Sequence, residues 1–263
     1  MMLKVYPLED YTDFSLSLYN PYKIRILSNR RTMNPLQIGF LIYPGVIQLD
    51  VMGAYQVLNF PPNTKVHLLW KTLSPVTSNE GFIFTPTTTF MDCPSLDAIC
   101  VPGGGMGQVE AMKDTEILDF LKQQGATAQY VTSVCTGSMI LAAAGLMQGY
   151  NSACHWAFRD QLAMLGVNVV PQRVVIDRNR VTGAGVTSGI DFGFTLLSLL
   201  CGESVAKTAQ LMMEYVPEPP FNAGSPETAG DEIVQPLMQF GKPLLDAFLA
   251  QTKETAAHLK LEN

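Results

Sequence analysis

The stretch Ala128–Gly145, AQYVTSVCTGSMILAAAG, constrains this chain more than any other. Tyr130-Val131-Thr132-Ser133-Val134 has the apolar, β-branched make-up of a short buried strand. Met139-Ile140-Leu141-Ala142-Ala143-Ala144 is a run of strong helix formers that stops at Gly145, a residue suited to the left-handed position after a helix. Almost nothing separates the two, so Cys135 sits where a strand must turn directly into a helix. Such an elbow is tight and often strained, with its side chain over the sheet end beside the free N–H groups of the first helical turn. A thiol there is expected to ionise, because a helix N-terminus favours negative charge, and Gly137 lets the turn close. A buried structural cysteine is the commoner fate of a free thiol, and this segment alone leaves both readings open.

Composition narrows the class. The chain has 263 residues, 47% hydrophobic and 15% charged, enough for one large or two small well-packed globular domains. A net charge of −6 without a basic stripe sets nucleic acid aside as a partner. No apolar run is long enough to span a bilayer, so no membrane partner is expected. The start, MMLKVYPLEDYTDFSLSLYN, lacks the basic, apolar and small-residue regions of a signal peptide. Five cysteines, scattered and never in C-x-x-C spacing, argue against a disulfide framework or a zinc site and fit a reducing cytoplasm. His67, His155 and His258 are too dispersed for a metal cluster, and neither metal nor cofactor is expected.

Residues 1–36 show no clean periodicity, and the first convincing strand is Gln37–Tyr43, QIGFLIY. It runs through Pro44-Gly45 to Asp50, which is expected to cap a helix over about Val51–Leu58. Lys65–Lys71 reads as a second strand with His67 packed in it, and Pro75–Thr89 as a hairpin-like edge around Asn79-Glu80-Gly81. Asp97–Val101 is a central strand ending in Pro102-Gly103-Gly104-Gly105, whose bare N–H groups suit an oxyanion or a small polar group. It is not a phosphate loop, since no Lys-Ser/Thr follows and no helix is expected to open at once. A helix at about Thr115–Gln124 leads to the elbow.

Downstream, His155-Trp156 opens an amphipathic helical segment with Phe158, Leu162 and Leu165, and Arg173–Thr182 is a hairpin. The small-residue run from Gly183 to Gly189 feeds a helix bearing Ile190, Phe194 and Leu197, followed by another at Ser204–Tyr215. Pro217–Gly230 is a proline-rich surface arm, and an amphipathic segment from Asp231 is interrupted at Pro236 and Pro243. Alternating strands and helices with glycine-rich turns predict an α/β sandwich with a mainly parallel central sheet. Ligands of such folds sit off the carboxyl ends of the strands. Asp50, Gly103–Gly105 and Cys135 each follow such an end, which favours Cys135 as a nucleophile.

The motifs IGFLIYPGVIQLD, DAICVPGGG, YVTSVCTGS, CHW and VTGAGVTSGIDF, in this order and spacing, resemble the DJ-1/PfpI superfamily over roughly residues 37–215. The likeness is strongest to its bacterial isocyanide hydratase (isonitrile hydratase) branch, and EYVPEPPFNAGSP extends it to about residue 226. The resemblance implies a flavodoxin-like (class I glutamine amidotransferase-like) sandwich, a homodimer, and an elbow cysteine paired with a carboxylate from the first loop. Position by position, Cys135 matches the nucleophile and Asp50 the acidic partner, with Thr136 next to the cysteine. Peptidase-like members carry His after the cysteine and DJ-1-like members Glu at the acidic position, so Thr136 and Asp50 point to the hydratases. Family transcription regulators share the VCTG elbow and the HW pair but add a helix-turn-helix module, for which the tail here is too short and insufficiently basic. Ala184 departs from a run that is all glycine in the hydratases, which bears on rate. The organisation expected is an N-terminal extension over 1–34, a catalytic domain over 35–230, and a helical tail over 231–263 packed on the domain or dimer.

The reaction so implied is R–N≡C plus water to an N-substituted formamide, with an isocyanide as the small-molecule substrate and no cofactor. Thiolate attack with protonation of the terminal carbon gives a covalent thioimidate, from which water expels the sulfur. Asp50 is the candidate proton shuttle. Backbone N–H groups near Gly104 and Gly105, with that of Thr136, are candidates to steady developing charge. The Thr136 hydroxyl either holds water or substrate or caps the first turn, and His155 is read as structural. Tyr43, Trp156 and Val186 are candidate lining residues of an apolar pocket. Two readings from other classes stand beside this one: a redox sensor in which Cys135 becomes a sulfinate, and a ligand-binding domain related to the regulators.

Overall fold

The computed structural model describes residues 35–261; the expected N-terminal extension lies outside them. Apolar LQIGFL forms β1 (Leu36–Leu41), and the loop after it leads into α1 (Gln48–Leu58). β2 (Thr64–Trp70) returns to the sheet, and a small hairpin, β3 (Val76–Thr77) with β4 (Ile83–Phe84), turns at Gly81, which has φ 86. β5 (Thr88–Thr89) and β6 (Ala98–Val101) precede two helices, α2 (Met106–Ala111) and α3 (Thr115–Gly125). Asp114 caps α3 by accepting from the N–H groups of Glu116 and Ile117.

The elbow segment follows as β7 (Tyr130–Val134) and α4 (Gly137–Ala143), with Gly145 at φ 75 just past the helix end. β8 (Asn151–Ser152), α5 (Arg159–Ala163) and β9 (Asn168–Val169) form an excursion before the hairpin β10 (Val174–Asp177) and β11 (Arg180–Gly183). The chain ends in helices α6 (Ser188–Cys201), α7 (Glu203–Met212), α8 (Pro226–Ala229), α9 (Asp231–Phe240) and α10 (Lys242–His258).

Seven strands share one sheet in the order β10-β11-β7-β6-β1-β2-β5, parallel throughout except for the β10–β11 pair. Every residue of β6 is buried, as a central parallel strand covered on both faces requires. α1 packs along α6, α4 lies on β6 and β7, and α10 packs against α2 and α5 with Phe248 fully buried against Phe158. None of the described helices is long and apolar enough to cross a membrane.

Four local expectations are corrected. α1 begins at Gln48, so Asp50 lies within its first turn and Ile47 occupies the cap position. A helix does open directly after the glycine run, at Met106. The segment from His155 is a 3-10 turn over Trp156–Phe158 followed by the short α5, with His155 capping the turn by accepting from the Ala157 N–H. α9 runs through Pro236, forgoing one N–H, whereas Pro243 sits in the first turn of α10, where an N–H has no partner to lose.

Candidate active site

Cys135 adopts φ 60, the left-handed region that a side chain with a Cβ rarely occupies. The strand geometry forces this: its N–H still donates to the Gly183 carbonyl at 3.1 Å, continuing the β7–β11 ladder, while α4 begins only two residues later. Gly137 is needed for that close turn, since a Cβ there would overlap the Val101 carbonyl oxygen. The strained residue is thus held by a ladder hydrogen bond on one side and a close-packed helix on the other.

Asp50 faces it from the first turn of α1 and is fully buried. The loop before α1 is tied to the glycine run by a Val46–Gly104 bridge, by Ile47 N–H donating to Gly103 O at 2.9 Å, and by Gly105 N–H donating to Gly45 O at 2.9 Å. Asp50 Oδ2 accepts the Gly103 N–H at 2.9 Å. A Cβ on Gly103 would stand 2.6 Å from Thr136 Oγ1 and 2.9 Å from Asp50 Oδ2, so the backbone approach needs glycine. Oδ1 is buried without a hydrogen-bond partner of ordinary geometry among the described residues, and the Cys135 thiol lies beside the carboxyl. Burial raises the Asp50 pKa from 3.8 to about 7, against the lowering pull of the Gly103 and Cys135 hydrogen bonds, with Glu80 adding a smaller upward push.

The thiol does not behave as the elbow position alone suggests. Burial, then the charge of Asp50 and the nearby Cys154, push the Cys135 pKa well up, outweighing the lowering influence of the Thr136 N–H; the Thr136 hydroxyl oxygen also lies within hydrogen-bonding reach of the sulfur. Asp50 therefore ionises before Cys135, as pH rises through about 7, while the proton stays on sulfur. The helix N-terminus is overruled by desolvation.

Gln108 is the polar residue that the sequence reading missed. It is the third residue of α2 and is fully buried. Its Oε1 accepts from the Gly104 N–H at 2.8 Å and from the Thr136 hydroxyl at 2.6 Å, and its Nε2 donates to the Thr136 carbonyl at 2.8 Å. The Gly104 and Gly105 N–H groups, expected to face a ligand, are spent on Gln108 and Gly45. Recognising that α2 opens at Met106 is the signal that turns Gln108 inward.

Tyr43 is buried beside the pair: Asp50 and Cys135 both raise its pKa after burial does, and its hydroxyl donates to the Pro102 carbonyl at 3.0 Å. Cys154 bears electrostatically on Cys135, and His155 lies against Gly185, so the CHW segment borders the site. Trp156 is half-buried and stacks on His155, and Val186 is half-buried in the turn before α6.

The sequence matches the DJ-1/PfpI family over residues 37–199. It is 51% identical to an isonitrile hydratase of Pseudomonas putida over 227 residues, which is 86% of this chain and 99% of that protein. It is 30% identical to the HTH-type transcriptional regulator GbdR of Pseudomonas aeruginosa over 69% of this chain, but spans only 51% of the regulator. Among solved structures, a THiJ/PfpI family protein from Pseudomonas syringae superposes with a TM-score of 0.81 at 42% identity, covering 84% of this chain and 91% of that one.

Proposed function

The chain belongs to the DJ-1/PfpI family, and from that premise we propose that it is an enzyme that hydrates isocyanides to N-substituted formamides. The Pseudomonas putida isonitrile hydratase, matched over nearly its whole length, supports the substrate class. One observation carries the chemistry: a protonated thiol on a strained elbow lies beside a buried carboxyl whose proton affinity is near neutral. Such a pair can move a proton both ways at physiological pH.

Asp50 takes the thiol proton as sulfur attacks the terminal carbon, and delivers it to that carbon, giving Cys135–S–CH=N–R. Water then adds to the same carbon, its proton passing through Asp50 to the nitrogen, giving Cys135–S–CH(OH)–NH–R. The C–S bond breaks with its electron pair leaving on sulfur, while Asp50 takes the hydroxyl proton and hands it to that sulfur. The C=O bond so formed completes the formamide, and the enzyme returns to its starting state. The Thr136 N–H lies within hydrogen-bonding reach of the sulfur and steadies the charge as it leaves. Tyr43, Trp156 and Val186 are retained as lining candidates. The same high thiol pKa weighs against a peroxide sensor, because oxidation begins from thiolate.

The test is incubation with a simple alkyl isocyanide, followed by NMR or infrared detection of the formamide. Turnover supports the reading; a folded protein that produces no formamide from alkyl or aryl isocyanides refutes it.

A further inference from the structure

The orientation of the Gln108 amide follows from its neighbours. The Thr136 carbonyl, 2.8 Å from Nε2, can only accept, and the Gly104 N–H, 2.8 Å from the other end, can only donate. Flipping the amide would bury two mismatched contacts, so the oxygen faces Gly104 and Thr136. An amide oxygen has no proton, hence at 2.6 Å the Thr136 hydroxyl is the donor. Tyr43 does not compete, since its hydroxyl donates to Pro102 at 3.0 Å and stands 3.5 Å from Gln108. A threonine hydroxyl has one proton, and here it is committed away from the sulfur.

We propose that Gln108 is a positioning residue: by holding the single Thr136 hydroxyl proton, it makes Thr136 Oγ1 an acceptor toward Cys135 and toward the water of the second half-reaction. Toward the thiol, that acceptor receives S–H and gives no support to a thiolate, which delays ionisation until Asp50 removes the proton. After the thioimidate forms, the same lone pairs hold one O–H of the attacking water and aim its oxygen at carbon. The second role rests on the isocyanide reading above; the first does not.

The titratable groups bearing on Cys135 are Asp50 from α1, Tyr43 from the loop after β1, and Cys154 after β8, with Glu80 bearing on Asp50. The substitutions that test the proposal leave all of them in place. The measurement is the pH dependence of iodoacetamide alkylation at Cys135, read by mass spectrometry, in Gln108→Met, Thr136→Val and the double variant.

Gln108→Met frees the hydroxyl proton to turn to the sulfur, so the apparent pKa of alkylation should fall by about one unit, about a tenfold rate gain below it. Thr136→Val alone should not raise that pKa, and in its background Gln108→Met should have no further effect. If Thr136→Val raises the pKa, Thr136 was donating to the sulfur and the proposal is wrong. An unchanged profile in folded Gln108→Met, or a shift that persists without Thr136, also overturns it. Should Gln108→Met fail to fold, Thr136→Val still decides. With an isocyanide, Gln108→Met should lower kcat more than KM and accumulate the Cys135 adduct. An absence of turnover in the unsubstituted protein would sink the hydratase reading while leaving the alkylation result intact.

Discussion

A thiol that burial keeps protonated is inert unless a base sits within reach, and this gives Asp50 its weight. Cys135→Ala should abolish formamide formation, with a Cys135 adduct seen by mass spectrometry in the parent protein during turnover. An adduct on Cys100 or Cys154 instead would displace the assignment. Asp50→Asn preserves shape and an acceptor for Gly103 but cannot carry a proton, so kcat should fall about 100-fold or more with the fold intact. Asp50→Glu keeps the carboxyl one methylene further out and should retain partial activity. Because the starting state needs ionised Asp50 beside neutral thiol, kcat/KM should rise with pH through about 7. A profile flat from pH 5 to 8 would remove Asp50 as the base.

At the scale of elements, the elbow is a fixed joint between β7 and α4. Gly137→Ala drives a Cβ into the Val101 carbonyl, a backbone atom that cannot step aside, and should destabilise by about 1–3 kcal/mol in denaturant unfolding. An unchanged midpoint would show that α4 can shift. This joint was legible in the sequence because its determinants are local: β-branched residues, a helix-forming run and a stop glycine within eighteen positions. The hairpins at Gly81 and before β11 were legible for the same reason. Asp50 was correctly placed near the strand ends, but its position inside α1 was not legible: Ile47 caps without a side-chain hydrogen bond, so no capping residue marks the start. The start of α2 was hidden likewise, because Gly105 precedes it without any capping side chain. That concealed Gln108, whose partners Gly104 and Thr136 come from different parts of the chain.

At the scale of the molecule, two features lead to predictions. Exposed large apolar residues are frequent between α7 and α9: Leu211, Val216, Phe221, Leu237 and Phe240, with Phe240 87% exposed. We expect a homodimer that covers part of this surface, about 2,000 Å² or more if obligate; a monomer mass by light scattering at micromolar concentration would contradict it. The second feature is the cost of burying Asp50. Unfolded, it releases its proton near 3.8; folded, at about 7. Between these values the folded state binds more protons, so this residue's contribution to stability falls as pH rises and is lost above about 7. The shift corresponds to about 4 kcal/mol. Buried His67 and part-buried His155 act in the opposite direction, since their pKa values are lowered from 6.5 and stability is lost as pH falls through that region. Wild type and Asp50→Asn must therefore be compared at each pH, which cancels the histidines. The variant should gain stability over wild type as pH rises from about 4 to 8, by up to about 4 kcal/mol, while losing activity. A difference in unfolding free energy that stays constant across that range would mean that Asp50 titrates no differently in the folded protein than in the unfolded chain, and the proton shuttle would lose its near-neutral poise.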